Sequence, residues 1–251
     1  MDAQIEQTLA SIHARHMNGI FAEDSKRACL KVLDLIPRDV VVGIGDSATV
    51  RMMGIPQMLK KRGTKLLDAF DRRLRELNPK DLNLKERRAR ILREATISDL
   101  FLTGTNALTQ DGRLVNVDGS GNRVAGMFWG HPISVIVVGR NKIVGDLDEA
   151  LHRVRNVIAP NHVRIRSEEL RGKKAETPCA ATGECSDCRA GDRRCNVFTI
   201  IEGKPHRTEI NVVIVDEDLG LGWDPSWPHN RITKIIENYK KFVWVQPNNA
   251  L

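Results

Sequence analysis

The chain has 251 residues, a net charge of +7 and a pI of about 9.3, with 41% hydrophobic residues, so a sizeable core is expected in one large domain or one domain with an appendage. No apolar run approaches the roughly 20 residues that a membrane span needs, and the polar, amphipathic N-terminus has no apolar signal core, so a cytoplasmic chain is expected. The positive excess suits an anionic small molecule better than nucleic acid, because six Phe, four Trp and one Tyr show no aromatic–basic interleaving for base stacking.

Residues 2 to 35 read as helix with a break near Asn18-Gly19, ended by Pro37. Val40 to Val42 reads as a buried strand, followed by a turn at Gly43 and Gly45. Asp46 or Ser47 caps a helix from Ala48, through Thr49, to about Arg62, with an interruption at Pro56. A strand, a glycine turn and a helix N-terminus expose amide donors to an anion, although a plain turn with a capping residue explains the same residues. Lys65 to Phe70 is a short strand and Asp81 to Thr96 a charged helix.

Asp99 to Leu102 begins the next strand and leads into TGTNALTQDGRLVNVDGSGNR, from Thr103 to Arg123. Polar residues with four glycines between apolar runs suggest backbone passing close to a ligand. Thr103, Gly104, Thr105 and Asn106 form its first polar turn, and Gln110 to Arg113 has hairpin-turn chemistry. Leu114 to Val117 returns as a strand carrying Asn116. Asp118, Gly119, Gly121, Asn122 and Arg123 then open a second helix N-terminus. Asp46, Asp118 and Asn122 are candidates for polar ligand contacts, but turn stabilisation and capping account for them equally. Ile133 to Val138 is another buried strand, ending at Gly139 with Arg140, Asn141 and Lys142. A helix from Asp146 to about Ile158 is closed by Pro160.

Alternating strands and helices predict an α/β fold with an open, mostly parallel sheet, whose ligands sit beyond the carboxyl ends of the strands. The turns after Val42, Leu102, Val117 and Val138 are expected to share that edge. Val197 to Ile201 and Ile210 to Val215 read as an antiparallel pair, Trp223 to Pro228 as an ordered loop, Ile232 to Lys240 as a final helix, and Phe242 to Gln246 as a last short strand.

Residues 161–196 break the pattern as a basic, cysteine-rich insertion in a single domain spanning 1–251. Four of the five cysteines, Cys179, Cys185, Cys188 and Cys195, lie within seventeen positions in the spacing C-x5-C-x2-C-x6-C. Cys29 reads as a small buried apolar residue. Four thiolates can hold tetrahedral zinc or an iron–sulfur cluster. The irregular spacing around one C-x-x-C pair ranks a [4Fe–4S] cluster ahead of zinc and both ahead of disulfides, with Arg189, Arg193 and Arg194 offsetting the charge. The expected partners are an anionic ligand and a redox protein, with a homo-oligomer left open.

The segments VVGIGDSATVRMMGI, DLFLTGTNALTQDGRLVNVDGSGNRVAGM and ISVIVVGRNKIVGDLDEAL, followed by TPCAATGECSDC, resemble the lactate-utilisation (LUD) domain family, over nearly the whole chain and in its stand-alone subgroup with a cysteine cluster. The resemblance implies a Rossmann-like open sheet with helices on both faces, as in sugar-phosphate isomerases, CoA transferases and 5-formyltetrahydrofolate cyclo-ligases. It also implies an oxidoreductase component in lactate or organic-acid oxidation. The other reading is a non-redox enzyme or binding protein for a phosphorylated, carboxylated or CoA-linked small molecule, with a structural zinc. No catalytic residue transfers from the family; the four polar turns transfer as the ligand edge.

Overall fold

The computed structural model describes residues 1–71, 74, 83–169 and 175–244. Six parallel strands form the main sheet in the order β1-β10-β7-β4-β2-β3. They are β1 (Asn18–Ala22), β2 (Val41–Ile44), β3 (Lys65–Leu67), β4 (Leu100–Gly104), β7 (Ile133–Gly139) and β10 (Glu209–Val215). Every pairing is parallel, so the sheet must be covered on both sides. The alternation in β4 makes this visible: Leu100 and Leu102 face one core with Val135 and Val137, while Phe101 faces the other side. Helices α2 (Ser25–Leu35), α3 (Ala48–Met52) and α4 (Ile55–Lys61) supply the first cover. The opposite face carries α1 (Ala3–Ala14), α5 (Leu84–Thr96) and α6 (Asn122–Phe128). The fold is thus the expected Rossmann-like α/β sheet.

A smaller, mixed sheet stands beside it in the order β8-β5-β6-β9. Its strands are β5 (Ala107–Thr109), β6 (Leu114–Asp118), β8 (Ile143–Val144) and β9 (Val197–Ile201). The expected hairpin turn joins β5 to β6, with Gly112 at φ +89°. One face of this sheet joins the α1 and α6 core. The other packs on α7 (Leu147–Arg153), α8 (Ala159–Glu169) and α10 (His229–Phe242).

Several sequence expectations are corrected. Residues 18–22 form β1 instead of continuing a helix, because their backbone pairs with β10 and Gly19 leaves room for Leu9, Ile12 and His13 of α1. β9 and β10 are not a hairpin: β9 pairs antiparallel with β6 in the small sheet, whereas β10 sits between β1 and β7. The turn after Val117 therefore belongs to the small sheet, not to the main-sheet edge. Pro160 does not end its helix. A π-helical turn at Val154–Ile158 joins α7 to α8, and Pro160 falls in the first turn of α8, where a missing N–H costs little. Pro56 likewise starts α4, after Gly54 at φ +69° ends the preceding turn. Of the expected helix from Asp81, residues 81 and 82 lie outside the described residues, as do 245 and 246 of the expected final strand; α10 runs to Phe242 and Val243 follows in extended conformation. Among the described residues no helix is long and apolar enough to cross a membrane.

Candidate functional site

The carboxyl ends of β2, β4 and β7 open onto a cleft of about 310 Å³. Asp46 and Ser47 arrive from β2, Gly104, Thr105 and Asn106 from β4, and Lys142 from the 3-10 turn after β7. The small sheet delivers Asp118, Gly119, Asn122 and Arg123 to the same space. Three of the four turns thus meet at the main edge, and the fourth reaches it from the small sheet.

Glycine lets these turns interlock. A Cβ on Gly45 would lie 2.6 Å from Thr103 Oγ1, and one on Gly104 would lie 2.6 Å from Ser47 Oγ. Arg123 ties them further. Its Nη1 donates to Gly104 O (3.1 Å) and Asn116 Oδ1 (2.8 Å), and its Nη2 donates to Asn106 Oδ1 and Val117 O (both 2.8 Å). Asn116 Oδ1 also accepts from Thr105 Oγ1 and from the Asn106 amide (both 3.2 Å). Asp118 accepts from the Ser120 and Gly121 amides, which rigidifies the turn into α6. Ser47 accepts from the Val50 amide as the cap of α3.

Other expected site residues stand elsewhere. Gly43 is buried beneath α5, where a Cβ would fall 2.1 Å from Ala95 O. Arg140 points away from the cleft and pairs with Asp216 (3.0 Å) and Asp218 (3.2 Å). Asn141 is fully buried, accepting from the Leu219 amide and donating to Gly222 O. Thr49 Oγ1 donates to Leu219 O (3.3 Å) and touches the cleft only through Lys142. Gly121 is the left-handed residue before α6, with φ +85°. Thr103, Asn116 and Gly45 form the layer behind the lining.

The opposite wall comes from residues that patterning did not single out for a ligand. Helix α8 contributes His162 and Arg166; Arg194, Arg88, Phe70, Tyr239 and Trp244 complete it. Arg194 had been assigned to the cysteines. Phe70 meets Trp244 edge-on at 5.4 Å, and the Arg88 guanidinium lies 4.0 Å above the Trp244 ring. His162 Nδ1 is 2.7 Å from the hydroxyl of Tyr239, the only tyrosine in the chain. Burial, then the neighbouring Arg166, drives the His162 pKa down to about 3, so the ring is neutral. Asp46 is held above the usual carboxylate range by burial, against the opposing pull of Arg51.

The cations are the cleft's distinguishing chemistry. Arg166 is 91% buried, its Nε has no hydrogen-bond partner, and among the described residues neither Arg166 nor Arg194 has a carboxylate within ion-pair distance. Burial first, and then Arg194, lower the Arg166 pKa to about 10. Asp46, which lines the same cleft, offsets part of this charge without forming an ion pair, and a buried guanidinium short of a full partner is costly.

A second, small cavity lies on the other side of α8. Cys179, Cys185, Cys188 and Cys195 line it together, with Phe198, Arg155 and Ala159. Cys179 is buried at the start of α9 (Cys179–Thr182), and all four are free thiols. Burial raises the Cys179 pKa, and the three other thiols push it the same way, which reflects how closely they gather. Arg193 braces the loop, donating to Cys188 O, Cys195 O and Asp187. The donor set has the chemistry of a thiolate-held cluster. As the side chains stand, no group of three or more His, Cys, Asp or Glu among the described residues is placed to hold a metal ion. Loading would therefore have to re-aim these thiols, all but Cys179 of which sit in the irregular chain of 183–196. Ala159 lines both the cysteine cavity and the cleft.

A solved structure of a DUF162 family protein from Deinococcus radiodurans is similar to this chain at 15% identity and a TM-score of 0.46, covering 84% of this chain and 96% of that one. No curated protein matches. The LUD domain model matches residues 5–215, a span that includes every strand of both sheets and both cavities' principal walls except the C-terminal aromatic one, and the chain belongs to the LUD domain family.

Proposed function

We infer that this LUD-domain protein is a redox protein that binds an anionic small molecule in the cleft and an iron–sulfur cluster, of the [4Fe–4S] type, at Cys179, Cys185, Cys188 and Cys195. The observation that carries the reading is the shared wall: Ala159 separates four gathered thiols from a cleft holding two guanidiniums without carboxylate partners. A cluster there would supply one-electron chemistry next to the ligand. The chain's own residues hold the ligand: Arg166 and Arg194 neutralise its charge, the Ser47 and Gly104–Asn106 turns orient it, and the Phe70–Trp244 pair excludes water from one side. Oxidation of a small organic acid such as lactate is the reaction class that the family name suggests.

Protein purified without oxygen should contain iron and acid-labile sulfide, with a visible absorption that bleaches on reduction. Replacing Cys185 and Cys188 together with Ser should abolish the bound iron while leaving the fold intact; a full iron complement in that variant would sink the cluster. Zinc alone in the wild type would favour the non-redox alternative, a binding protein or enzyme for a phosphorylated or carboxylated molecule.

The cleft is tested separately with inorganic phosphate, followed through tryptophan fluorescence. Arg166→Met, which keeps the apolar stem, should weaken binding about 10- to 100-fold, the equivalent of one charge-assisted hydrogen bond. The same variant should melt at a higher temperature than wild type without phosphate, because it removes a desolvated cation that Asp46 offsets only in part. Unchanged phosphate affinity would place the anion elsewhere.

A further inference from the structure

Lys142 sits at the floor of the cleft and is 94% buried. Among the described residues no carboxylate lies within ion-pair distance of it. Its Nζ is fixed by two contacts of 2.9 Å, to Thr105 O and to Thr49 Oγ1. Thr49 Oγ1 also lies 3.3 Å from Leu219 O, an acceptor to which its hydroxyl can donate. With the hydroxyl turned to Leu219 O, Thr49 accepts from Lys142. Two positions on nitrogen are thus committed; the third carries a proton in the ammonium form and a lone pair in the neutral amine. Gly220 maintains the approach: a Cβ there would fall 2.9 Å from Nζ and 2.6 Å from Thr49 Oγ1. Burial, with Arg123 as the charged neighbour, brings the Lys142 pKa down to about 7, so a large fraction of the amine is uncharged at neutral pH. A desolvated lysine beside a second cation is a recognised way to make an amine nucleophilic.

We propose that Lys142 is a nucleophile toward a carbonyl carbon, so that the cleft takes a small molecule carrying an aldehyde or ketone together with a carboxylate or phosphate group. This deepens the reading of the cleft as an anion site and rests on it. The amine nitrogen forms a bond to the carbonyl carbon as the carbon–oxygen π bond breaks, giving a carbinolamine. The hydroxyl then leaves as water with the protons released by nitrogen, and an imine remains. Amine and carbonyl go in, imine and water come out, and no oxidant or reductant is consumed.

Pyridoxal 5′-phosphate, which has both an aldehyde and a phosphate, is the probe. The full chain is incubated with it, reduced with sodium borohydride, digested and mapped. The expected result is one label per chain, on Lys142, formed at least about tenfold faster than with pyridoxal, which lacks the phosphate. Labelling confined to other lysines overturns the proposal. If both probes label Lys142 at the same rate, the amine assignment stands and the anionic reading of the cleft fails. Phosphate binding without any Lys142 label does the reverse. A Lys142→Arg variant should carry no label at this position, and if it does not fold, the wild-type map decides alone.

Discussion

Between about pH 7 and 10, Lys142 should contribute stability that grows with pH, and Lys142→Met should remove that contribution. The sign follows from proton counts. The folded-state pKa of Lys142 is lowered from 10.5 to about 7, mainly by burial. Between those values the unfolded chain holds a proton that the folded chain has released, so unfolding free energy rises with pH. Below about pH 7 the folded protein bears the full cost of a buried ammonium. Arg123 is the charged group facing it, and no counterion compensates among the described residues. Lys142→Met is therefore expected to be more stable than wild type at pH 7, by on the order of a few kcal/mol, with the two curves converging as the pH approaches 10.5. Urea unfolding of both proteins at each pH measures the difference and cancels the other titrating groups. His162 is held neutral, so its window lies between about pH 3 and 6.5. Cys29 and Cys179, whose pKa values burial raises, work in the opposite direction to Lys142 as the pH climbs through the ordinary thiol range, equally in both proteins. Tyr239 has a raised pKa and costs stability only above about pH 10. A difference between variant and wild type that does not change between pH 7 and 10 would show that Lys142 is not held uncharged.

Gly43→Ala should be strongly destabilising through packing alone. Gly43 lies in β2 with ordinary extended geometry, so backbone strain is not the issue. The added Cβ would stand 2.1 Å from Ala95 O, 2.8 Å from Ala95 C and 2.6 Å from Ser98 Oγ. Ala95 is backbone at the end of α5, and Ser98 Oγ is itself held by Ala95 O and Leu100 O and accepts from the Gly43 amide. Relief requires lifting α5 from the sheet or bending β2. Overpacking of this kind costs about 3 kcal/mol or more, equivalent to a melting temperature about 6–12 °C lower for a chain of this size. Gly145→Ala is the control: its Cβ would meet only the flexible end of Glu149 at 3.2 Å, and little change is expected. Equal melting temperatures for the two variants would refute the packing role of Gly43.

That role bears on how the sequence is read. Val-Val-Gly-Ile-Gly-Asp after a strand looks like an anion-binding turn, and the turn does reach the cleft through Asp46 and Ser47. Gly43, though, serves helix packing. The glycine pattern alone cannot separate these uses, because both need a missing side chain. The parallel sheet was legible because strands buried on both faces are runs of Val, Ile and Leu, as in β4, β7 and β10. β1 was not, because an edge strand with the pattern Asn-Gly-Ile-Phe-Ala has little periodicity and depends on β10, almost 200 residues away. β9 was legible as a strand over Val197 to Ile201, but its pairing was not, since its partner β6 is fixed only in three dimensions. On the cleft's second wall, Pro160 read as a stop placed His162 and Arg166 in the cysteine-rich insertion 161–196. A proline in the first turn after a π-helical segment is compatible with a helix that continues, and that continuation brings both residues to the ligand space.

The placement of Ala159 has a thermodynamic corollary. One residue of α8 forms part of both linings, just after a π turn whose backbone register differs from that of the helices on either side. A shift of this turn that suits occupancy of one cavity necessarily changes the wall of the other. On the proposed reading, any factor by which a metal at the thiols alters affinity for an anion in the cleft must appear, equal in size, as the effect of that anion on metal affinity. If the proposed metal and anion both bind, they are reciprocal effectors: positive coupling predicts that excess phosphate slows iron loss to a chelator, and negative coupling that it accelerates it.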